Sequence, residues 1–153
     1  MDLILWRHAE AVDWTPDGDD LARRLTPRGE KQAARMAAWL DRQLPEATRV
    51  LASPARRTEQ TVHALGRKFK LREELQPGGL PDELLRLAQW PDSRMPVLVV
   101  GHQPTLGQVL SQLLGLATPE CPVRKGAVWW LRSRERQGLM QTVVMAVQTP
   151  ELL

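Results

Sequence analysis

The sequence has few of the residues on which disulfide-bonded, metal-binding or membrane-spanning proteins depend. Its single cysteine, Cys121, excludes an internal disulfide and a cysteine-based metal site, and we interpret it as a small, partly buried loop residue. The apolar run at the N-terminus is only a few residues long and no basic residue precedes it, so it matches neither a secretory signal nor a membrane span. These features favour a cytoplasmic protein.

Tyrosine is absent and phenylalanine occurs once, but six tryptophans are present. The net charge is +3, and the basic residues, most of them arginine, are scattered along the chain. A nucleic-acid-binding surface would instead favour one basic stripe with interleaved aromatic residues. Trp6, Trp129 and Trp130 lie in strand-like runs and Trp39 lies on a predicted helix, so we interpret them as core residues and expect no nucleic-acid partner.

Three short apolar runs are each followed by polar side chains of types that bind ligands or take part in catalysis. Runs of this length are typical of buried strands. In open α/β sheets, ligands bind outside the carboxyl ends of the strands. The sequence therefore predicts one pocket for an anionic group at that edge. The runs are Leu3–Trp6 before Arg7 and His8, Val50–Ala52 before Ser53, Pro54, Arg56 and Arg57, and Val97–Val100 before Gly101 and His102.

Alternating strand and helix signals predict an α/β fold with helices on both faces of a mostly parallel sheet, a three-layer α/β/α sandwich. We expect one domain over 1–153, with an antiparallel hairpin at its C-terminal edge. Proline follows a capping residue at Thr26-Pro27 and Ser53-Pro54, which predicts two helix starts. The predicted strands are 2–7, 50–52, 71–75, 97–100, 126–131 and 139–147, and the predicted helices are 27–44, 54–68, 81–90 and 105–114.

Four aspartates near His8 and Glu10 leave two interpretations open. They could form a metal site, or they could be acidic turn formers in a solvated loop over 11–25, and the pattern favours the loop. His63 lies on a predicted helix without an obvious partner, so we interpret it as structural or exposed. The four aspartates are Asp13, Asp17, Asp19 and Asp20.

A histidine at a strand end is a nucleophile when it is neutral and its second nitrogen is held by an acceptor. Attack on phosphorus would give a phosphohistidine, which water then hydrolyses. Arginine suits the phosphoryl oxygens because its planar fork donates parallel hydrogen bonds and stays charged. A second histidine, if protonated, would add a donor, and helix starts at Pro54 and Pro104 could direct free amides at the site. These residue types favour phosphoryl transfer without a metal.

Four motifs, in order, resemble those of the histidine phosphatase superfamily, which has the phosphoglycerate-mutase-like fold. Together they span about the first two-thirds of the chain. The motifs are Arg7-His8-Ala9-Glu10, Leu25-Thr26-Pro27-Arg28-Gly29-Glu30-Lys31-Gln32-Ala33, Ser53-Pro54-Ala55-Arg56-Arg57-Thr58-Glu59-Gln60-Thr61 and Gly101-His102-Gln103-Pro104.

The resemblance implies that His8 is the phosphorylated nucleophile, that Arg7 and Arg57 bind the phosphoryl group, and that His102 completes the pocket. It implies neither a metal nor a cofactor. Arg56 falls on a variable position of the motif, so no role is carried over to it.

The short length and the segment Asp20-x-x-Arg23-x-Leu25-Thr26 are most similar to the SixA-type branch, the phosphohistidine protein phosphatases. Arg23 matches an arginine of that branch, and we count Arg23 and Gln103 among the expected phosphate-binding residues. The branch usually has proline where this chain has Arg24, a departure that affects the rim of the pocket.

Two absences favour a phosphohistidine on a protein as the substrate. The turn 75–79 lacks the acid with which larger family members protonate an alkoxide, although Asp82 or Glu83 could reach in. The short loops leave little material for a lid over a small substrate. A small-molecule phosphomonoesterase and a non-catalytic phosphate-binding module remain alternatives. We expect a monomer, and activity that falls as the pH drops through the His8 titration, between about pH 5 and 8.

Overall fold

The computed structural model describes residues 1–153 and contains a six-stranded sheet and four α-helices. The strand order is β3-β2-β4-β1-β5-β6; the first four are parallel, whereas β5 runs antiparallel to β1 and β6 antiparallel to β5. The predicted α/β class with an antiparallel C-terminal edge is confirmed. The strands are β1 (Asp2–Arg7), β2 (Arg49–Ala52), β3 (Lys70–Leu71), β4 (Val97–Gly101), β5 (Val128–Arg136) and β6 (Leu139–Gln148), and the helices are α1 (Pro27–Gln43), α2 (Arg56–His63), α3 (Pro81–Ala88) and α4 (Thr105–Leu114).

The central strands are apolar on both faces because helices cover both sides of the sheet. One face of β1 and β4 packs with residues of α3 and α4, and the other face packs with residues of α1 and α2. Trp6 is completely buried in the second of these cores, and Trp39 and Trp130 pack against it, while Trp129 packs against the first. The interpretation of these four tryptophans as core residues is confirmed.

The segment predicted as a strand over 71–75 forms only the two-residue β3, followed by a 3₁₀ turn at Glu73–Leu75. Leu71 and Leu75 are four residues apart, and the turn buries Leu75 while Leu71 stays exposed. A strand would have placed both leucines on one face of the sheet.

Helix α2 is shorter at both ends than predicted. It begins at Arg56, and the Ser53 hydroxyl accepts the Ala55 amide at 3.2 Å instead of capping the first turn. It ends at His63, and Gly66 follows with a left-handed φ of 73°, a conformation typical of the residues that stop a helix.

The hairpin of β5 and β6 is longer than predicted. Residues predicted as the loop 132–138 are mostly strand, and only Gln137 and Gly138, both with positive φ, form the turn. β1 pairs with β5 only as far as Arg132, and beyond the buried Ser133 the hairpin projects from the sheet, with residues 134–141 exposed on both faces. A strand exposed on both faces can carry charged residues, and the charges in 132–136 are the reason that this stretch was wrongly predicted as a loop.

The segment around Thr26 holds the chain that follows β1. The Thr26 hydroxyl accepts the Gly29 amide at 2.9 Å, which caps α1, and donates to the Glu10 carboxylate at 2.7 Å. The Gln32 side-chain oxygen accepts the Glu10 amide at 3.0 Å. A Cβ on Gly29 would overlap the Glu10 carbonyl. At this position α1 and the loop after β1 are therefore closer together than any residue with a side chain would allow.

We expect Gly29→Ala to destabilise the protein, because the new methyl group has no space between α1 and the Glu10 backbone. The free energy of unfolding should fall by about 1–3 kcal/mol, as for other overpacked sites, and urea unfolding measures it. Lys31→Ala on an exposed position of the same helix is the control and should stay within about 0.5 kcal/mol of wild type. Equal stability of both variants would contradict the close approach.

Candidate active site

Two histidines meet at the carboxyl edge of the sheet. Arg7 and Gly101 are register partners at the ends of β1 and β4, and the next residues are His8 and His102. The His8 amide donates to the Gly101 carbonyl at 3.2 Å, and the two imidazole rings have centroids 5.3 Å apart. The parallel register of neighbouring strands therefore brings together two residues far apart in the chain.

The ring of His8 has one nitrogen engaged and one free of protein partners. Nδ1 lies 2.7 Å from the Ala9 carbonyl oxygen. Because a carbonyl only accepts, Nδ1 carries the hydrogen and Nε2 keeps its lone pair. The pKa of His8 is lowered to about 3, mainly by burial and in part by the nearby His102, Arg57 and Arg7. The ring is therefore neutral at pH 7, with Nε2 as the basic nitrogen.

Two arginines are held by their terminal nitrogens. Arg7 donates from Nη1 to the Val123 carbonyl at 2.7 Å. Arg57 donates from Nη1 and Nη2 to the Asp20 carbonyl at 2.8 Å and the Asp20 carboxylate at 3.1 Å. Burial lowers the pKa of both guanidinium groups, but an arginine starts so far above neutral pH that both stay charged.

His102 is bound through one nitrogen as well. Its Nε2 lies 2.8 Å from the Ser53 hydroxyl oxygen, whereas Nδ1 has no partner. Burial lowers the pKa of His102 to about 3, and the charge of Arg57 adds to the effect. The structure therefore holds His102 neutral, which differs from the protonated second histidine considered from the sequence.

Three unpaired donor positions distinguish this edge of the sheet. Four buried side-chain polar atoms in the protein lack a hydrogen-bond partner, and three of them are Arg7 Nε, Arg57 Nε and His102 Nδ1. Buried polar groups are nearly always paired because leaving one unpaired costs free energy. Unpaired positions on three neighbouring side chains, two of them charged, are the arrangement expected around an oxyanion.

The other two predicted phosphate ligands are engaged in contacts within the protein. Arg23 donates from Nε to the Val12 carbonyl at 2.7 Å and from Nη1 to the Asp20 carboxylate at 2.9 Å. Gln103 accepts the Gly107 amide at 2.7 Å and donates to the Cys121 carbonyl at 3.0 Å and the Glu120 carboxylate at 3.2 Å. Arg23 keeps its Nη2 free of these contacts, whereas Gln103 would have to give up one of its contacts to bind a phosphate.

The aspartates of the loop after β1 serve as hydrogen-bond acceptors. Asp20 bridges Arg23 and Arg57, and the hydrogen bond from Arg23 is the main reason that its pKa lies below the usual value. The carboxylates of Asp17 and Asp19 accept the backbone amides of Asp19 and Leu21, both at 3.1 Å. No three histidine, cysteine, aspartate or glutamate side chains form a candidate metal site. This arrangement matches the acidic-turn interpretation.

Neither candidate acid on α3 forms a hydrogen bond with the two histidines or the two arginines of the site. Asp82 is exposed at the start of the helix. The Glu83 carboxylate forms an ion pair with Arg86 at 2.6 Å, and its side chain is 39% exposed.

Sequence reasoning did not assign roles to Ser53 and Thr61. Thr61 accepts the Ala9 amide at 3.1 Å and donates to the Arg57 carbonyl at 2.7 Å, so it joins the turn after His8 to α2. Ser53 contacts His102 as described above. Both residues lie in the third matched motif, yet only the folded chain shows what their hydroxyl groups contact.

Known proteins share sequence motifs and fold with this chain. The model of the histidine phosphatase superfamily (branch 1) matches residues 3–78. The phosphohistidine phosphatase SixA of Escherichia coli is 33% identical over 128 residues, which are 78% of each chain. This chain belongs to the histidine phosphatase superfamily, in its SixA-type branch.

The solved structures of SixA-type proteins have the same fold. The protein histidine phosphatase SixA complexed with tungstate is 27% identical, with a TM-score of 0.79 and coverage of 99% of each chain. The putative phosphohistidine phosphatase SixA from Nakamurella multipartitia is 30% identical, with a TM-score of 0.78 and coverage of 97% of this chain and 95% of that one. The resemblance read from four motifs is confirmed, and the chain is a member of a phosphatase enzyme family. No helix of this SixA-type chain is both long enough and apolar enough to span a membrane.

The two buried histidines should make the SixA-type fold less stable in acid. An unfolded histidine has a pKa of about 6.5, whereas those of His8 and His102 are about 3 in the fold. Between these values the unfolded chain binds protons that the folded chain excludes, so stability is complete above about pH 6.5 and falls towards pH 3. The slope is at most about 1.4 kcal/mol per pH unit for each histidine.

Urea unfolding at pH 7 and pH 4.5 measures this slope. His102→Asn should reduce the loss of stability between the two pH values, whereas His63→Asn, at an exposed position, should leave it unchanged. The same slope in all three proteins would show that His102 is not buried in its neutral form.

The low pKa of His8 also moves the expected loss of activity from between pH 5 and 8 to near pH 3.

Proposed function

We propose that this protein is a metal-independent phosphatase that removes phosphate from phosphohistidine on a partner protein in the cytoplasm, through a covalent intermediate on His8. One observation carries the proposal. The neutral His8 ring has its Nδ1–H bound to the Ala9 carbonyl, and unpaired positions on Arg7, Arg57 and His102 lie beside it. A basic nitrogen next to fixed donors suits in-line attack on a phosphoryl group.

In the first step, His8 Nε2 attacks phosphorus and the bond from phosphorus to the substrate nitrogen breaks. The leaving imidazole keeps the electron pair of that bond and takes a proton from solvent. The two guanidinium groups and His102 donate to the phosphoryl oxygens from nitrogens that are buried and unpaired before the reaction. Positive charge develops on the His8 ring, and the hydrogen bond from Nδ1–H to the Ala9 carbonyl stabilises it.

In the second step, water attacks the phosphoryl group on His8, and inorganic phosphate leaves with the oxygen of that water. The electron pair of the broken bond returns to Nε2, which restores the neutral ring. The same donors stabilise the oxygens in both steps. The tungstate complex of the relative SixA supports the proposal, since tungstate, like phosphate, is a tetrahedral oxyanion.

The surroundings of the two acids on α3 favour phosphohistidine over a phosphate ester as the substrate. An alkoxide leaving group needs a proton from an acid, whereas an imidazole leaves more readily at neutral pH. Asp82 is exposed and Glu83 is paired with Arg86, so neither is held ready to supply a proton. The relatives named phosphohistidine phosphatases agree with this choice.

A groove formed by the loop after β1 and the first residue of α2 supports a protein as the substrate. It has a volume of about 740 Å³, and its lining includes Trp14, Arg24 and Arg56. Trp14 is 71% exposed, and the loop that carries it also supplies Asp20, the partner of Arg57. Tryptophan and arginine are the residues most enriched at the energetic centres of protein interfaces, so this groove suits contact with a partner.

Phosphate trapping tests the nucleophile. After mixing with a phosphocarrier protein labelled on histidine with ³²P, the wild-type enzyme should acquire acid-labile label and release labelled phosphate. His8→Ala should do neither, because it lacks Nε2. His63→Ala removes an exposed histidine and is the matched control, which should behave as wild type. Label retained by His8→Ala would assign the nucleophile elsewhere, and faster hydrolysis of simple esters than of phosphohistidine would favour the phosphomonoesterase.

Trp14→Ala tests the protein substrate. We expect kcat/KM for the phosphorylated protein to fall by roughly tenfold or more, the usual cost of removing an aromatic anchor. The rate on phosphoimidazole, which is too small to reach the groove, should not change. Leu139→Ala is the control, because Leu139 is 69% exposed on the hairpin at the opposite end of the sheet. An equal effect of Trp14→Ala on both substrates would argue against docking in the groove.

A further inference from the structure

We propose that the Ser53 hydroxyl fixes His102 as the tautomer with hydrogen on Nδ1, so that a neutral imidazole donates to a phosphoryl oxygen. The proposal rests on the phosphatase function proposed above. It assigns Ser53 as a positioning residue that acts through His102, and it gives His102 a role for which no positive charge is needed.

The contacts of Ser53 leave one possible acceptor for its hydroxyl hydrogen. Ser53 is fully buried, and its oxygen already accepts the Ala55 amide at 3.2 Å. The one other side-chain or backbone group in contact with this oxygen is His102 Nε2, at 2.8 Å. Because the Ala55 amide donates to the oxygen, the hydroxyl hydrogen is free to point at Nε2, and Nε2 is then the acceptor.

The opposite arrangement leaves two buried groups unsatisfied. If Nε2 carried the hydrogen and donated to Ser53, the serine hydrogen would have no acceptor, because Ser53 is fully buried. Nδ1 would then present a lone pair, and a lone pair repels a phosphoryl oxygen. Leaving buried polar groups unsatisfied costs free energy, so the tautomer with hydrogen on Nδ1 is favoured both before and after phosphate binds.

Nδ1 is placed to use this hydrogen on a ligand. It is buried and has no partner within the protein, and its ring lies 5.3 Å from the ring of His8. Burial holds the pKa of His102 at about 3, so at neutral pH the ring has one hydrogen to place. The Ser53 contact places that hydrogen on the nitrogen without a protein partner, where it points away from Ser53.

Nitrogen NMR on the wild-type protein labelled with ¹⁵N-histidine tests the tautomer directly, without any assay of activity. The His102 signals are identified by their loss in His102→Asn. We expect Nδ1 to show the chemical shift of a protonated nitrogen and Nε2 that of an unprotonated, hydrogen-bonded nitrogen. The reverse pattern overturns the proposal even if the enzyme is active, and the expected pattern supports it even if the phosphohistidine substrate proves wrong.

A double-mutant cycle tests the link to catalysis, with histidine-phosphorylated phosphocarrier protein as substrate. Ser53→Ala should lower kcat/KM about tenfold, equivalent to one neutral hydrogen bond, and Ser53→Thr, which keeps the hydroxyl, should restore most of it. In a His102→Ala background, Ser53→Ala should have no further effect. The same loss in both backgrounds would make Ser53 merely structural and overturn the positioning role.

Ser111→Ala is the matched control for deleting a buried hydroxyl. Ser111 lies on α4, and its oxygen has no hydrogen-bond partner, so its removal should change neither the His102 spectrum nor the rate. A wild-type protein that shows the expected tautomer but no phosphatase activity would reject the proposed function and leave the assignment of the hydrogen in place.

Discussion

The hydrogen bond from His8 Nδ1 to the Ala9 carbonyl is the interaction on which the rest of the site depends. It decides which ring nitrogen keeps a lone pair, and it fixes the plane of the ring. The Ala9 carbonyl is itself held, because the Ala9 amide is bound to Thr61 and the Glu10 amide to Gln32. The tautomer of one buried histidine is thus secured by two helices on the same face of the sheet.

Five of the matched motif residues serve this support. Thr26, Gly29, Gln32 and Thr61 hold the turn after β1 in place. Gln60 does the same from α2, with its side-chain oxygen accepting the Leu25 amide at 2.7 Å. These residues belong to motifs that suggest catalysis in the sequence, but in the structure they hold the backbone around the site in place. The same packing explains why the close approach at Gly29 allows no side chain.

The arginines show how the protein keeps donors ready for an anion. Each guanidinium is anchored through its terminal nitrogens while its Nε stays unpaired in a buried position. Such a site is costly when empty, since the buried charges have given up water. Preorganised donors need little rearrangement when negative charge develops on a ligand, which is the physical advantage of holding them unpaired.

Apolar runs and capping residues in the sequence determined the fold class, most of the elements, the tryptophan core and the residues that gather at one edge of the sheet. Those features depend on local periodicity, which the sequence carries directly. It did not reveal the short β3, the projecting hairpin, the shared role of Asp20 for two arginines or the contact of Ser53 with His102. These arise from packing between segments distant in the chain, and the protonation of both histidines depends on burial. Only the tertiary structure decides them, because the energy of a buried polar group depends on its neighbours in space.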